Sequence, residues 1–302
     1  MIKKREVWYG DLTTRRAVLT RGALLISGGL GWLASFLLIP GLVLVLVAFV
    51  DQDADGVLTW KLTLEPFRRL IGFTGSGLSS ANLLILLRSI ALAVVTTVIC
   101  VGLAYPMAFF IARGSKRRRF LWLSLIIVPL CTNLVIRTYA WKLLLSARLP
   151  PAQFASWMGW VDPGRDLLPS WMAVVVGMIA ASLPFAVVPL YTSIDRLDWS
   201  LVEAAEDLYA SPTRVFFQAI LPQTVPALSV AVLLTFVPTM GMFVVTNMLG
   251  GAKHWLVGNL IQHQFGPGRN IPYGAALSLV LIALTMAVIY TYRRQGRTME
   301  LL

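Results

Sequence analysis

Long uncharged apolar stretches alternate with short polar connections along most of this chain. Six windows are long enough to cross about 30 Å of hydrocarbon as helices that rise 1.5 Å per residue. These windows lie at 22–50, 83–111, 120–145, 171–194, 223–249 and 272–292. The pattern predicts an all-α polytopic membrane protein with about six transmembrane helices.

The composition supports a membrane protein. Hydrophobic residues make up 57% of the chain and charged residues only 13%, whereas soluble domains carry about 25% charged residues. The first window is far longer than the apolar part of a signal peptide, which is about 7–15 residues. We therefore expect this window to be retained as a transmembrane helix. Cys100 and Cys131 both fall in apolar runs, a pattern that indicates neither a disulfide framework nor a metal site.

The distribution of Lys and Arg predicts the orientation of the spans. Sixteen of these residues fall in the N-terminal segment, the 112–119 connection, the 195–222 loop and the C-terminal tail, against seven in the opposite connections. Because basic residues accumulate in cytoplasmic loops, both termini and the 195–222 loop are predicted to be cytoplasmic. The net charge of +12 does not indicate nucleic-acid binding, since the basic residues form no continuous face.

These patterns divide the chain into a few segments. A basic cytoplasmic segment, 1–21, precedes the first transmembrane helix, 22–50. A core of five transmembrane helices spans 83–292 and contains the 195–222 loop, and a cytoplasmic tail covers 293–302.

Several predicted spans contain proline, namely Pro106, Pro129, Pro184, Pro189 and Pro238. Proline removes one backbone hydrogen bond from a helix and bends it. The sequence leaves two interpretations open. The bends serve helix packing, or the interrupted helices line a cavity that opens alternately to the two sides of the membrane.

The 203–222 stretch, EAAEDLYASPTRVFFQAILP, is unusually polar for its surroundings. Ser200 followed by Glu203 forms a capping-box pattern, and Ser211-Pro212 is typical of a second helix start. We therefore predict short helices over about 200–209 and 212–219, with Pro222 at the entrance to the next span. The apolar side chains of this hairpin are expected to meet a cytoplasmic partner, a simple solvated connection being the alternative. They are Leu201, Val202, Ala205, Leu208, Val215, Phe216 and Phe217.

Glu203-Ala204-Ala205, followed by Leu221-Pro222, resembles the EAA loop of ABC importer permeases. The resemblance implies that the loop forms coupling helices that sit in a groove of an ATP-hydrolysing subunit. The residues assigned to this coupling are Ser200, Glu203, Ala204, Ala205, Tyr209, Leu221 and Pro222. Tyr209 stands where the family usually has glycine, so we expect the turn to shift onto Ala210 or to tighten.

Four further stretches, at 103–113, 126–146, 183–208 and 248–265, resemble the first (B-type) permease subunit of spermidine/putrescine importers. The resemblance implies a bacterial inner-membrane complex with a second permease subunit, two ATPase subunits and a periplasmic or lipid-anchored solute-binding protein. This chain has no GxxxxGK[ST] motif, so ATP and Mg are expected to be used by the partner ATPase. No cofactor is expected on this chain.

A polyamine path would favour carboxylates, aromatic faces and oxygen dipoles, yet none of the six windows contains Asp or Glu. Ordinary packing explains each remaining candidate about as well as solute contact. These candidates are Tyr105, Asn133, Tyr139, Trp141, Thr246 and Asn247. Arg137 is a candidate for an outer gate or for contact with the binding protein, with extension toward the headgroups as the alternative. His254 and His263 are interpreted as loop residues and not as metal ligands.

The sequence thus favours a permease, most consistently for a polyamine and alternatively for another small organic solute. An ion-coupled secondary transporter is disfavoured because no ionisable coupling group lies in mid-membrane. An intramembrane enzyme is disfavoured because the spans contain no nucleophile–base pair and no set of metal ligands. A membrane scaffold or receptor would leave the prolines and the capped loop without a role.

Overall fold

The computed structural model describes residues 15–53, 56–71, 73–74, 77–78, 81–162, 164–251 and 254–299. Most of the predicted basic segment 1–21 lies outside these ranges, as does the end of the predicted tail. Chain order gives the helices α1 (Arg15–Ala48), α2 (Glu65–Ile71), α3 (Ala81–Ala112), α4 (Lys116–Ile127), α5 (Leu134–Leu144), α6 (Pro150–Trp157), α7 (Trp171–Asp195), α8 (Trp199–Asp207), α9 (Pro212–Val215), α10 (Leu221–Met240), α11 (Val244–Gly250), α12 (Val257–Phe265) and α13 (Ile271–Met299).

Short strands and irregular helical turns complete the fold. The strands β1 (Val50–Gln52) and β2 (Leu58–Leu62) pair antiparallel, as do β3 (Phe73–Thr74) and β4 (Gly77–Leu78). A 3-10 turn covers Val128–Cys131, and a π-helical turn covers Phe216–Ile220.

Five helices within the described ranges are long and apolar enough to span a membrane. They correspond to the first, second, fourth, fifth and sixth predicted windows. The third window, 120–145, is not one straight helix. Its two halves meet at 104°, as a broken span or a re-entrant loop, so the count rises to six only if the pair is one span. Pro129 lies in the 3-10 turn, and the side chain of Asn133 then caps α5, so the chain restarts in a new direction.

The fifth window, 223–249, is also wrong at its end. The α10 helix ends at Met240, Gly241 follows, and α11 is a separate short helix. A Cβ atom on Gly258 would lie 2.5 Å from the Gly241 carbonyl oxygen, so α12 approaches this break closely. The backbone at the break between α10 and α11 is therefore in close contact with α12.

Proline does not interrupt the spans as the sequence suggested. Pro106 lies inside α3, Pro184 and Pro189 lie inside α7, and Pro238 lies inside α10, all without a helix break. Among the described residues, only Pro129 occurs in a broken span. Pro184 is buried, whereas Pro106 and Pro238 are exposed, so tertiary packing is not common to these positions.

The centre of the fold consists of α3, α7 and α10. Small side chains such as Ala104, Ala108, Ala186 and Ala231 are fully buried there, and they allow the helix backbones to approach closely. A second cluster joins α5, α7 and α11 around Val174 and Leu249. Val174 and Val187 belong to different clusters and are about 20 Å apart along α7, from a rise of 1.5 Å per residue. The fold thus has a loop end, which carries 195–222, and an opposite end.

The β1–β2 hairpin belongs to the opposite end. The side-chain amide of Gln52 donates to the Arg269 carbonyl oxygen at 2.8 Å and accepts from the Ile271 amide at 3.2 Å. These bonds tie the hairpin to the start of α13. The α1 helix also packs on α13, although most of its apolar side chains over 26–46 are exposed.

Candidate functional site

The 195–222 loop is folded, but its first helix is capped by a different residue than predicted. The α8 helix begins at Trp199, and Asp198 is its N-cap. The Asp198 carboxylate accepts from the Ser200 amide at 3.0 Å and from the Ser200 hydroxyl at 2.7 Å. The predicted capping box with Ser200 as N-cap is therefore wrong. Asp caps helices as well as Ser does, and it stands closer to the actual helix start.

The second half of the loop continues without a break into the following span, and we call this continuous helix the rod. The α9 helix passes through the π-helical turn into α10, so helical backbone runs from Pro212 to Met240. The predicted separate helix over 212–219 is wrong in this respect. Leu221 and Pro222 lie well inside the rod and do not mark its entrance. Single π turns are rare and often accompany functional sites.

Tyr209 adopts the left-handed conformation directly, with φ of 57°. The expected shift of the turn onto Ala210 is therefore wrong. Backbone bonds over the turn oppose a strain of about 1 kcal/mol, with Tyr209 donating to the Glu206 carbonyl at 2.9 Å and Ala210 to that of Ala205 at 3.2 Å. The Tyr209 side chain is 98% exposed at the tip of the loop.

The loop buries part of its apolar surface against itself, contrary to the expectation from sequence. Val202 and Val215 are buried with Leu197 and Ile220, and Phe109 of α3 packs on this cluster. Other predicted contact residues remain exposed on its surface, namely Leu201, Leu208 and Phe217. The loop is therefore a small folded unit with an apolar exterior.

A cavity of about 710 Å³ lies between this loop and the end of α3. Aromatic rings and three charged side chains share its wall. The lining residues are Tyr105, Pro106, Phe109, Arg113, Trp199, Val202, Glu203, Glu206, Pro212, Val215, Phe216 and Ile220. The α8 contribution, residues 199, 202, 203 and 206, has the spacing of one helix face.

Tyr105 connects the cavity to the rod. Its hydroxyl group pairs with that of Thr224 in α10, and its ring meets Phe216 edge-on with centroids 5.6 Å apart. The Thr224 hydroxyl also lies 3.1 Å from the Ile220 carbonyl oxygen, in the π-helical turn. Of the predicted path residues, Tyr105 therefore lies at the loop end.

The other predicted path residues lie at the opposite end and do not form one lining with Tyr105. Asn133 caps α5 by accepting from the Val135 amide at 2.8 Å. Tyr139 is exposed on α5, whereas Trp141 packs on the α5–α7–α11 cluster. Thr246 is fully buried in α11. Their role in a solute path stays a prediction.

Asn247 belongs to a ladder of uncharged polar side chains. The Thr246 hydroxyl donates to Asn259 Oδ1 at 2.7 Å, and Asn259 Nδ2 donates to Asn247 Oδ1 at 2.6 Å. Asn247 Nδ2 in turn donates to Gln262 Oε1 at 2.9 Å. Asn247 and Gln262 are the exposed members of the ladder.

Arg137 is partly buried on α5. Its Nε and Nη1 atoms are buried and meet no hydrogen-bond partner among the described residues. Burying an unpaired charge is costly, so this guanidinium is a candidate to meet a group from another chain. Its predicted role at an outer gate stays a prediction.

The sequence reading missed several of the residues that these sites bring together. Glu206, Trp199, Phe109 and Arg113 line the cavity, and Gln262 ends the amide ladder. The helical spacing of Trp199, Glu203 and Glu206 was a readable signal. The contribution of α3 to the cavity wall could not be predicted from the sequence, because it depends on which helix packs over the loop.

Comparison with known proteins identifies the family of this chain and solved structures with the same fold. A family model described as binding-protein-dependent transport system inner membrane component matches residues 104–300. The chain is 36% identical over 270 residues to the spermidine/putrescine transport system permease protein PotB of Escherichia coli K12, covering 89% of this chain and 96% of that protein. It is 34% identical over 269 residues to PotB of Haemophilus influenzae, covering 89% and 92%.

A solved structure shares the fold. It is a bacterial alginate ABC transporter in complex with an alginate pentasaccharide-bound periplasmic protein, and one of its chains superposes with a TM-score of 0.70 at 15% identity. The match covers 97% of this chain and 98% of that one. Together with the family match over 104–300, these relationships show that the chain belongs to the family of binding-protein-dependent transport system inner membrane components.

Proposed function

We propose that this chain is the permease subunit of an ATP-driven importer that carries a polyamine, such as spermidine or putrescine, into the cytoplasm. The relatives at 36% and 34% identity bear the name of that transport system. The structural observation that carries the proposal is the folded 195–222 loop, whose second half is continuous with a membrane-spanning helix. Such a rod is suited to passing a force from a separate subunit into the membrane.

The loop surface fits an apolar protein partner. Leu208 and Tyr209 are 81% and 98% exposed at the tip, and Leu201 is exposed beside them. Exposed apolar side chains on a folded loop mark an interaction surface. We assign this surface to the ATPase subunit, with Glu203, Ala204 and Ala205 next to it, while Ser200, Leu221 and Pro222 support the loop.

The assembly in this proposal contains a second permease subunit, two ATPase subunits that use ATP and Mg, and a periplasmic or lipid-anchored binding protein. The permease spans the cytoplasmic membrane with both termini and the 195–222 loop in the cytoplasm, as the distribution of basic residues predicts. The opposite end, with its β1–β2 hairpin, then faces the binding protein. The alginate-transporter complex, which contains a periplasmic protein, supports this arrangement by fold.

Solute passes by alternating access in this proposal. Asn133, Tyr139 and Asn247 are the exposed path candidates on the binding-protein side, with Arg137 near them in sequence and fold. Tyr105 is the candidate at the cytoplasmic exit. Amide oxygens such as that of Asn247 accept hydrogen bonds from ammonium groups, so a path without Asp or Glu is compatible with a polyamine.

Uptake by the reconstituted complex tests the cargo. Proteoliposomes that contain both permeases, the ATPase and the binding protein should accumulate labelled spermidine or putrescine only when ATP is present on the ATPase side. Transport of neither amine would overturn the polyamine assignment. Accumulation of a different organic solute by the same vesicles would identify that solute as the cargo instead.

Leu208→Glu tests the docking surface. A charge at this exposed position should not harm folding, but it should oppose apolar contact and reduce copurification of the ATPase. The matched control is Leu62→Glu, since Leu62 is 84% exposed on the hairpin at the opposite end. Equal ATPase recovery with both variants would contradict the assignment of the loop as the docking surface.

A further inference from the structure

A small folded unit between α5 and α7, at the end opposite the 195–222 loop, exposes an aromatic surface. We call this unit, residues 146–162 and 164–170, the α6 lobe. The α6 helix buries Ala152 and Ala155 and exposes Phe154 and Trp157, whose ring centroids lie 5.9 Å apart. Trp157 is 81% exposed. Neighbouring exposed aromatic side chains on a folded unit mark an interaction surface.

Hydrogen bonds hold the α6 lobe at the level where a membrane-spanning helix begins. The Ala147 amide donates to Asp166 Oδ1 at 2.6 Å, and the Leu167 amide donates to the Leu145 carbonyl oxygen at 3.1 Å. Leu145 packs in the same cluster as Val174, the fourth residue of α7 and about 5 Å along that span. Tryptophan is enriched at this level, where hydrocarbon meets the lipid headgroups.

A cavity of about 390 Å³ lies between the α6 lobe and the beginning of α7. Apolar side chains such as Phe154 and Met172 line it, and no charged side chain does. The hydroxyl group of Ser170 in its wall donates to the Leu167 carbonyl oxygen at 2.7 Å and accepts from the Ala173 amide at 3.1 Å. The cavity therefore favours a hydrocarbon chain, and its volume falls in the range of small-molecule sites, about 300–1,000 Å³.

A second cavity, of about 510 Å³, adjoins the first and is polar. Trp160 belongs to both walls, and its indole N–H can donate a hydrogen bond at their boundary. Arg165 and Asp162 line the second cavity alone. Arg165 Nη1 lies 3.5 Å from Asp162 Oδ2, and both side chains are exposed. Such a surface ion pair is weak, so ligand charges can replace it.

We propose that the two adjoining cavities bind one glycerophospholipid from the membrane leaflet at this end of the fold. One acyl chain occupies the apolar cavity, and the headgroup occupies the polar one. Arg165 binds the phosphate, and Asp162 binds the ammonium group of an ethanolamine headgroup. A phospholipid accounts for both cavities, whereas the surface of a binding protein would account only for the exposed rings. The site does not depend on the identity of the cargo.

Retained phospholipid tests the apolar cavity on the whole complex. Native mass spectrometry of the complex purified in a mild detergent should show bound phosphatidylethanolamine. Val176 lines the apolar cavity, so Val176→Phe should fill part of it and remove one bound phospholipid per copy of this chain. The matched control is Val98→Phe, since Val98 is exposed on α3 and lines neither cavity. Equal retention in the two variants would overturn the site.

Headgroup preference tests the polar cavity. In nanodiscs that contain phosphatidylethanolamine and phosphatidylglycerol, the wild-type complex should retain the ethanolamine lipid in several-fold excess over its share of the bilayer. Asp162→Asn removes the ammonium acceptor, so this preference should disappear, whereas Arg165→Gln should lower retention of both lipids several-fold. An unchanged preference in Asp162→Asn, or unchanged retention in Arg165→Gln, would overturn the assignment.

Quenching by lipid separates a membrane contact from a protein contact. A fluorophore on Trp157→Cys, in a Cys131→Ser background, should be quenched by phospholipids with brominated acyl chains, and the binding protein should not change this. Trp60→Cys is the matched control, because Trp60 is a comparably exposed tryptophan on the hairpin at the same end, and it should not be quenched. An unquenched probe at 157 that the binding protein shields would assign this surface to that protein and overturn the lipid site.

Discussion

At the scale of single residues, a tertiary contact selects the cap of α8. Ser200 and Asp198 are both good N-cap residues, and Ser200 is also followed by Glu203 at capping-box spacing. The Asp198 amide donates to the side-chain carbonyl of Gln223 in α10 at 3.1 Å, which fixes the chain just before α8. Gln223 itself donates to the Ala219 carbonyl at 2.8 Å. The rod thus positions the residue that begins the loop.

Asp198→Ala should destabilise the loop by about 1 kcal/mol, because the Ser200 amide and hydroxyl lose their acceptor. Ser200→Ala should destabilise the loop less, since the hydrogen bond from the backbone amide of residue 200 to the Asp198 carboxylate remains. Limited proteolysis of the purified permease would report both, with faster cleavage near 198–210 in the Asp198 variant. Faster cleavage in the Ser200 variant than in the Asp198 variant would indicate that Ser200 is the N-cap of α8.

At the scale of elements, the rod from Pro212 to Met240 joins the loop to a membrane-spanning helix without a break in the helical backbone. The π-helical turn at Phe216–Ile220 sets the rotation of the loop relative to α10. The pair of Tyr105 and Thr224 holds this turn against α3. In the proposed function, this continuous helix passes movement of the loop to the span.

Deletion of Gln218, an exposed residue of this turn, should rotate the loop by about 100° relative to α10, since a helix has 3.6 residues per turn. We expect ATP hydrolysis by the complex to continue while uptake per ATP falls at least several-fold. Gln218→Ala is the matched control, because it keeps the chain length, and it should transport normally. A deletion variant with unchanged uptake per ATP would show that the rod does not carry the force.

At the scale of the whole molecule, the two ends differ in character. The loop end carries a folded hairpin with an apolar tip, and the opposite end carries the β1–β2 hairpin, α6 and the amide ladder around Asn247. The basic residues favour the loop end, so the sequence predicts that this end is cytoplasmic.

Cysteine labelling measures this orientation. Cys100 is buried and Cys131 is exposed, so a Cys131→Ser background is required. Tyr209→Cys and Trp60→Cys place thiols at positions that are 98% and 85% exposed, at opposite ends. In spheroplasts, an impermeant maleimide should label the Trp60 variant at once and the Tyr209 variant only after permeabilisation. The reverse result would show the opposite orientation in the membrane, and it would contradict docking of a cytoplasmic ATPase on the loop.

The sequence by itself determined the membrane class, most of the span positions and the importer-permease family. These features depend on long apolar runs, on charge asymmetry and on local motifs, which are properties of neighbouring residues along the chain. The presence of helices at 199–207 and from 212 onward was likewise readable from local motifs, although the residue predicted to cap the first helix was wrong.

Only the tertiary structure decided the breaks after Ile127 and Met240, the continuity of α7 through two prolines, and the cap at Asp198. It also decided that Tyr105 and Glu206 share one cavity while Asn247 lies at the other end of the fold. Each of these outcomes depends on contacts between residues far apart in the chain. Helix periodicity fixes which face a residue occupies, but packing alone decides what that face meets.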